Sequence, residues 1–165
     1  DTKWTVSGRF VDTELERPRW RLTANCRVHR RLQVGLEFNP KAEEIGPLFT
    51  FFVLTETEAA PALFIGTSSD RIGSPTGKQA YYATMSKYIP IIRTSIYGSL
   101  NFTEWDDGFN LPVGFGVELG KGFSVRPMYD GDRSHLLLNY FAAQYGVSLM
   151  YVWLGTPGVA LFVGF

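Results

Sequence analysis

The chain has 165 residues, its 16 Lys plus Arg balance 16 Asp plus Glu, and 45% of it is hydrophobic while only 19% is charged. That length builds a single domain with its own core, and a net charge of zero argues against a nucleic-acid partner, which needs a basic surplus. An aromatic content of 15%, with 13 Phe, 8 Tyr and 4 Trp, excludes both disorder and a coiled coil.

The single cysteine, Cys26, excludes an internal disulfide and any cysteine-based zinc site. Two histidines, His29 and His135, leave little for metal or triad chemistry, so neither a metal nor a cofactor is expected. No run of eighteen apolar residues is long enough for a transmembrane helix. The chain opens at Asp1 rather than Met, as expected of a mature chain whose signal peptide has been cleaved.

Alternation with a period of two dominates from the start. Trp20, Leu22, Ala24, Cys26, Val28, Leu32, Val34, Leu36 and Phe38 share one parity, while Arg21, Thr23, Asn25, Arg27, Gln33 and Glu37 share the other. One strand of that length would exceed about 60 Å, so the run is cut at His29-Arg30. Further along, Ile92, Thr94, Ile96, Gly98, Leu100 and Phe102 alternate with Arg93, Ser95, Tyr97, Ser99 and Asn101. Phe109, Leu111, Val113, Phe115, Val117 and Leu119 then alternate with Asn110, Pro112, Gly114, Gly116 and Glu118. Turn signals divide the chain into strands near 4–12, 19–28, 31–39, 47–55, 61–68, 79–88, 91–102, 109–119, 123–129, 135–143, 146–154 and 159–165. This reads as an all-β chain, an antiparallel up-and-down barrel of about twelve strands, with counts of ten or eight left open by weak strand boundaries.

A soluble antiparallel sheet turns its apolar face inward, and a membrane barrel inverts it. Three features favour inversion. The apolar parity carries no mid-strand charge, and a Lys or Arg there would cost about 2–4 kcal/mol at a bilayer midplane. Aromatic residues gather at strand ends: Trp4, Tyr88, Phe123, Tyr145 and Phe165 at one rim, and Trp20, Phe38, Phe102, Phe109, Tyr129 and Trp153 at the other. Such girdles suit a membrane–water interface. The polar parity is rich in Ser, Gly and Ala, and the five lysines avoid strand centres. Residues 1–165 are therefore expected to form one transmembrane barrel domain. The segments Leu48–Leu54 and Ala62–Ile65 are apolar on both parities and leave the facing open there.

The last strand, Val159-Ala160-Leu161-Phe162-Val163-Gly164-Phe165, alternates apolar residues and ends on phenylalanine. On this pattern the chain resembles a bacterial outer-membrane β-barrel. Val159, Leu161, Val163 and Phe165 resemble the signal by which the outer-membrane assembly machinery recognises its clients. The resemblance implies integral location in a bacterial outer membrane. The implied partners are its lipids and lipopolysaccharide, that machinery during biogenesis, and other outer-membrane proteins.

Of eleven arginines, six fall between Arg17 and Arg31. By parity Arg9, Arg19, Arg21, Arg27, Arg93 and Arg126 face inward with Glu37 and Glu118, which gives the lumen a positive bias that favours anions. A packed lumen of arginine–carboxylate pairs is the opposing reading. Ser134-His135 suggests a barrel-wall hydrolase, but neighbouring strand residues point to opposite faces, and no catalytic set is assigned. Glu104, Asp106, Asp107, Asp130 and Asp132 read as solvated turns, since no spacing matches a calcium loop. The leading expectation is a small passive, porin-like channel. The alternatives are a non-conducting scaffold barrel of an outer-membrane assembly and, behind it, a soluble lipocalin-like carrier of apolar ligands.

Overall fold

The computed structural model describes residues 2–165; Asp1, on which the expectation of a cleaved leader turned, lies outside the described residues. The alternating segments form strands β1 (Trp4–Val11), β2 (Trp20–His29), β3 (Leu32–Asn39), β4 (Glu44–Leu54), β5 (Ala62–Ser69), β6 (Gln79–Ile89) and β7 (Thr94–Thr103). They continue as β8 (Gly108–Asn110), β9 (Val113–Gly120), β10 (Phe123–Tyr129), β11 (Ser134–Phe141), β12 (Tyr145–Val152) and β13 (Thr156–Gly164). One helical turn, α1 (Glu16–Arg19), precedes β2.

All pairings are antiparallel, and the β1–β13 and β6–β7 ladders close the sheet on itself. β8 and β9 are two parts of one strand. Both pair with β7 in a single register, Asn101 opposite Asn110 and Gly98 opposite Val113, and Leu111-Pro112 interrupts them. The result is a closed barrel of twelve strands. Proline has no N–H for the ladder. A second proline weakens the next seam: β9 and β10 join Val117 to Val125 and Gly114 to Met128, with no ladder pair at Arg126 and Pro127.

Alternate connections fall on opposite rims. The terminal rim holds both described ends of the chain, where Trp4 N–H donates to Phe165 O at 2.8 Å and Phe165 N–H to Trp4 O at 3.0 Å. The loop rim holds the connections 12–19, 40–43, 70–78, 104–107, 130–133 and 153–155. Two prolines start matching turns. Pro40–Ala42 and Pro90–Ile92 are single 3-10 turns, each ended by a left-handed residue, Glu43 at φ 50° and Arg93 at φ 49°.

The faces are inverted relative to a water-soluble sheet. Leu36, Leu149 and Leu161 on the outer face are 60%, 57% and 55% exposed. Among the described residues the buried apolar side chains are Val11, Cys26, Ala80 and Val152 with two prolines, Pro18 and Pro112. Buried polar groups outnumber them and include Thr23, Glu37, Asn39, Thr84, Ser99, Thr103, His135, Asn139 and Ser148. Buried polar groups must find partners inside, and here they find them in one another. Ser7 bonds Thr23 at 2.6 Å, Thr84 bonds Ser99 at 2.7 Å, and Ser148 donates to Asn139 at 2.6 Å.

Candidate functional site in the barrel lumen

At the loop rim the lumen is packed. The connection 70–78 between β5 and β6 folds over the mouth, and Arg17 of α1 fastens it. Arg17 is 6% exposed; its Nε lies 3.0 Å from Glu44 Oε2, and Nη1 donates to the Asp70 carbonyl at 3.5 Å and the Ser74 carbonyl at 3.4 Å. It also reaches the Ser74 hydroxyl, and Nη2 donates to the Lys78 carbonyl at 3.4 Å. Further round, Arg71 pairs with Asp106 at 2.6 Å and lies over the Trp105 ring at 4.6 Å. The Trp105 N–H donates to Asp70 Oδ2 at 3.3 Å. On the far side Gly73, at φ 98°, stands so near the Trp153 ring that a Cβ there would sit 3.2 Å from it. One connection thus touches the β1–β2, β3–β4, β7–β8 and β12–β13 ends together.

Beneath it, Glu37 is buried at the centre of a second network. Its carboxylate takes Arg21 at 2.6 Å, Asn39 Nδ2 at 3.0 Å and Ser69 Oγ at 2.8 Å. Arg9 stands opposite Arg21 in the β1–β2 register. Buried polar atoms without a partner concentrate here: Nε of Arg9, Nε of Arg21, Oδ1 of Asn39, and Nε and Nη1 of Arg71. The space between Arg9, Arg17, Glu37 and Arg71 amounts to about 10 Å³, on the order of one water.

A third lock joins the β10–β11 and β12–β13 connections. His135 is 3% exposed. Its Nε2 lies 2.6 Å from Asp130 Oδ2, and its Nδ1 accepts the Trp153 N–H at 3.1 Å. Asp130 also accepts the backbone N–H of Asp132 at 2.9 Å and of Arg133 at 2.8 Å. Burial pushes the Asp130 carboxyl up, but the His135 bond and these two amides outweigh it and hold it below the usual carboxylate range.

The half of the lumen toward the terminal rim is open on one side. Two adjoining cavities of about 400 and 470 Å³ share Ser95 and Arg126. The outer one reaches the rim between Tyr88, Arg93, Glu118 and Lys121. The inner one is walled by Phe64, Tyr82, Tyr97, Thr84, Ser99 and Asn101. At the rim Tyr88 Oη donates to Glu118 Oε2 at 2.9 Å, and Arg93 Nε lies 3.8 Å from the same carboxylate. Arg126 has no ion pair and no side-chain hydrogen bond among the described residues.

Arg9, Arg21, Arg27, Arg126, Glu37 and Glu118 stand on the inner parity of their strands. Arg27 does so at the terminal rim, exposed, 5.4 Å from the Phe52 ring. Four placements differ from the sequence reading. Arg19 is not a lumen residue: it ends α1 at the loop rim, 4.0 Å from Glu14, with the Phe10 ring at 6.0 Å. Arg93 is not in a strand, because Pro90 starts a 3-10 turn and Arg93 closes it. Tyr88 is not an outer girdle residue, since the inner parity of β6 carries it to Glu118. Trp153 lies in the left-handed turn after β12, between Gly73 and the Arg133 guanidinium at 5.4 Å. The other end-of-strand aromatics, Trp4, Phe123, Tyr145, Trp20, Phe38, Phe102, Phe109 and Tyr129, stand on the outer parity. Phe102 meets Phe109 edge-on at 5.4 Å. Val159, Leu161 and Val163 also face out.

Sequence reasoning missed Arg17, Asp70, Arg71 and Ser74, all in connections between strands. Ser134 and His135 stand on opposite faces of β11, and both His135 ring nitrogens are engaged. No protein-family model matches the chain, and no curated protein matches it significantly.

Proposed function

We propose that this chain is an integral β-barrel of a bacterial outer membrane, stoppered at the loop rim and open to water only as a cup at the terminal rim. It is then a non-conducting barrel, of the scaffold or receptor kind, rather than a passive channel. The outer face supports the membrane location, because an all-round apolar band is stable against lipid and costly against water. Strand ladders that close on themselves leave no unpaired edge in hydrocarbon. An even number of strands puts both ends on one side, the periplasmic one in such barrels. The outward row Val159, Leu161, Val163 supports handling by the assembly machinery, and the outer aromatics support contact with lipid and lipopolysaccharide headgroups.

The observation that carries the non-conducting reading is Arg17 fastening 70–78 across the mouth with a buried ion pair and carbonyl bonds on both flanks. The channel reading draws on a different observation, the arginine-biased inner wall with Arg126 unpaired. Planar-bilayer recording separates them. The purified barrel should give no steps, and excising residues 72–77 should produce them. Steady anion-selective steps from the intact protein would establish the channel instead, and a monomer soluble without detergent would end the membrane reading.

A further inference from the structure

We propose that the cup binds a small organic anion, its carboxylate or phosphate held by Arg126 and a flat ring body laid against Phe64, Tyr82 and Tyr97. This rests on the reading of the terminal half as a water-filled cup. Arg126 is the centre because it points inward from β10, is exposed to the cavity, and has no carboxylate or carbonyl to answer its guanidinium among the described residues. Of the other arginines that face in, Arg21 pairs with Glu37, Arg17 with Glu44 and Arg27 lies over Phe52, while Arg9, which also lacks a carboxylate partner among the described residues, lines only the space of about 10 Å³ beneath the stopper. A guanidinium presents a planar fork that matches carboxylate or phosphate oxygens. Ser95 and Ser124 flank it, and Ser124 Oγ, which accepts from Asn139 Nδ2 at 3.4 Å, keeps its own proton to donate.

The wall is shaped by missing side chains. A Cβ at Gly116 would lie 2.9 Å from Ser95 Oγ and 3.7 Å from Arg126 Nε, so glycine gives the guanidinium room to lie along β9. A Cβ at Gly114 would lie 2.6 Å from the Tyr97 ring, and one at Gly66 would lie 2.5 Å from Tyr82 Oη. Both tyrosines therefore occupy the space that a side chain at those glycines would take, and both line the cavity. Phe64 stands edge-on to Tyr82 at 6.3 Å. Aromatic faces beside one cation select a body that is flat and apolar with a single anionic end. The joined volumes, about 400 and 470 Å³, lie within the range of small-molecule sites. At the entrance Arg93 and Lys121 outnumber Glu118, so an anion meets a favourable field before it reaches Arg126.

The test uses the barrel in lipid nanodiscs with two probes, benzoate and phenyl phosphate, titrated by calorimetry. At least one should bind saturably, and the tighter names the anionic group. Arg126→Gln should weaken that binding about tenfold or more, and Arg126→Lys should retain part of it, since a point charge keeps the attraction and loses the fork. Benzyl alcohol should not saturate, and inorganic phosphate should bind less tightly than phenyl phosphate. Absence of saturable binding by both probes, or unchanged binding in Arg126→Gln, overturns the proposal. Inorganic phosphate binding as tightly as phenyl phosphate also overturns it. A separate arm tests the cup. In a Cys26→Ala background, Ser86→Cys should react with a charged, water-soluble thiol reagent. An unreactive Cys at that position refutes the cup itself, whereas reaction without probe binding refutes only the ligand.

Discussion

His135 Nε2 stands 2.6 Å from Asp130 Oδ2, and the other ring nitrogen accepts the Trp153 amide, so one imidazole holds two loop-rim connections together. The Trp153 N–H requires a lone pair on Nδ1, which puts the ring proton on Nε2 and aims it at the carboxylate. Asp130 is held below its ordinary value of 3.8. A carboxyl depressed in the folded state adds stability that is fully present above its unfolded pKa and lost as pH falls through the folded one. In urea unfolding in a fixed lipid, the stability difference between the parent and Asp130→Asn should therefore hold from pH 7 down to about 4 and shrink below that. Asp130→Asn should lower the unfolding free energy at pH 7 by about 1–3 kcal/mol and flatten the acid decline. An unchanged decline in that variant would assign acid sensitivity elsewhere.

Arg17→Ala should be among the most damaging single changes in the chain. It leaves Glu44 half-buried without its cation and frees the carbonyls of Asp70, Ser74 and Lys78. Breaking a buried pair this way costs about 3–5 kcal/mol. Where the barrel still forms, trypsin should cut at Arg71 or Lys78 in the variant and spare both in the parent.

Arg21 and Arg27 share a strand and a parity yet differ in consequence. Arg21 neutralises a carboxylate that is 1% exposed, whereas Arg27 rests on the Phe52 ring in the open. Arg21→Ala should cost about 3–5 kcal/mol, and Arg27→Ala about 0.5–1 kcal/mol, the range of an exposed cation–π contact. Equal losses in matched unfolding titrations would contradict this division of the inner wall.

The outer band has its own test. Leu149 lies mid-strand on β12 and is 57% exposed. In lipid vesicles Leu149→Lys should reduce unfolding free energy by about 2–4 kcal/mol. A change below about 0.5 kcal/mol is what an ordinary water-facing position gives.

The wall was legible because a period of two is local. Leu22, Leu36 and Phe38 announce the outer face from sequence alone, and the cut at His29-Arg30 falls where β2 gives way to β3. Between Leu48 and Ile65 the parity was unreadable because the inner face there is aromatic too: Phe52 meets Phe64 at 5.8 Å, and Phe64 meets Tyr82. The stopper was invisible for another reason. Arg17 finds Glu44, Asp70, Ser74 and Lys78 far along the chain, and alternation carries no information on which connections fold inward. Arg93 was misplaced because the 3-10 turn Pro90–Ile92 takes up the start of the alternation read from Ile92, and Tyr88 because an aromatic at a strand end was read as outward although its parity is inward.

Ring closure changes how such a wall can fail. An open sheet frays from its outermost strand, but here β1 and β13 seal each other from Thr5-Gly164 to Val11-Gly158. No strand can leave until some seam parts, and the resistance of the whole is set by the seam that parts first. Pro112 and Pro127 remove ladder bonds on both sides of the same strand, β8–β9, within a few residues of each other. Rupture should start there: amide hydrogens of Val113–Val117 should exchange ahead of those in β12 and β13, which would set the lifetime of the barrel far from its stopper.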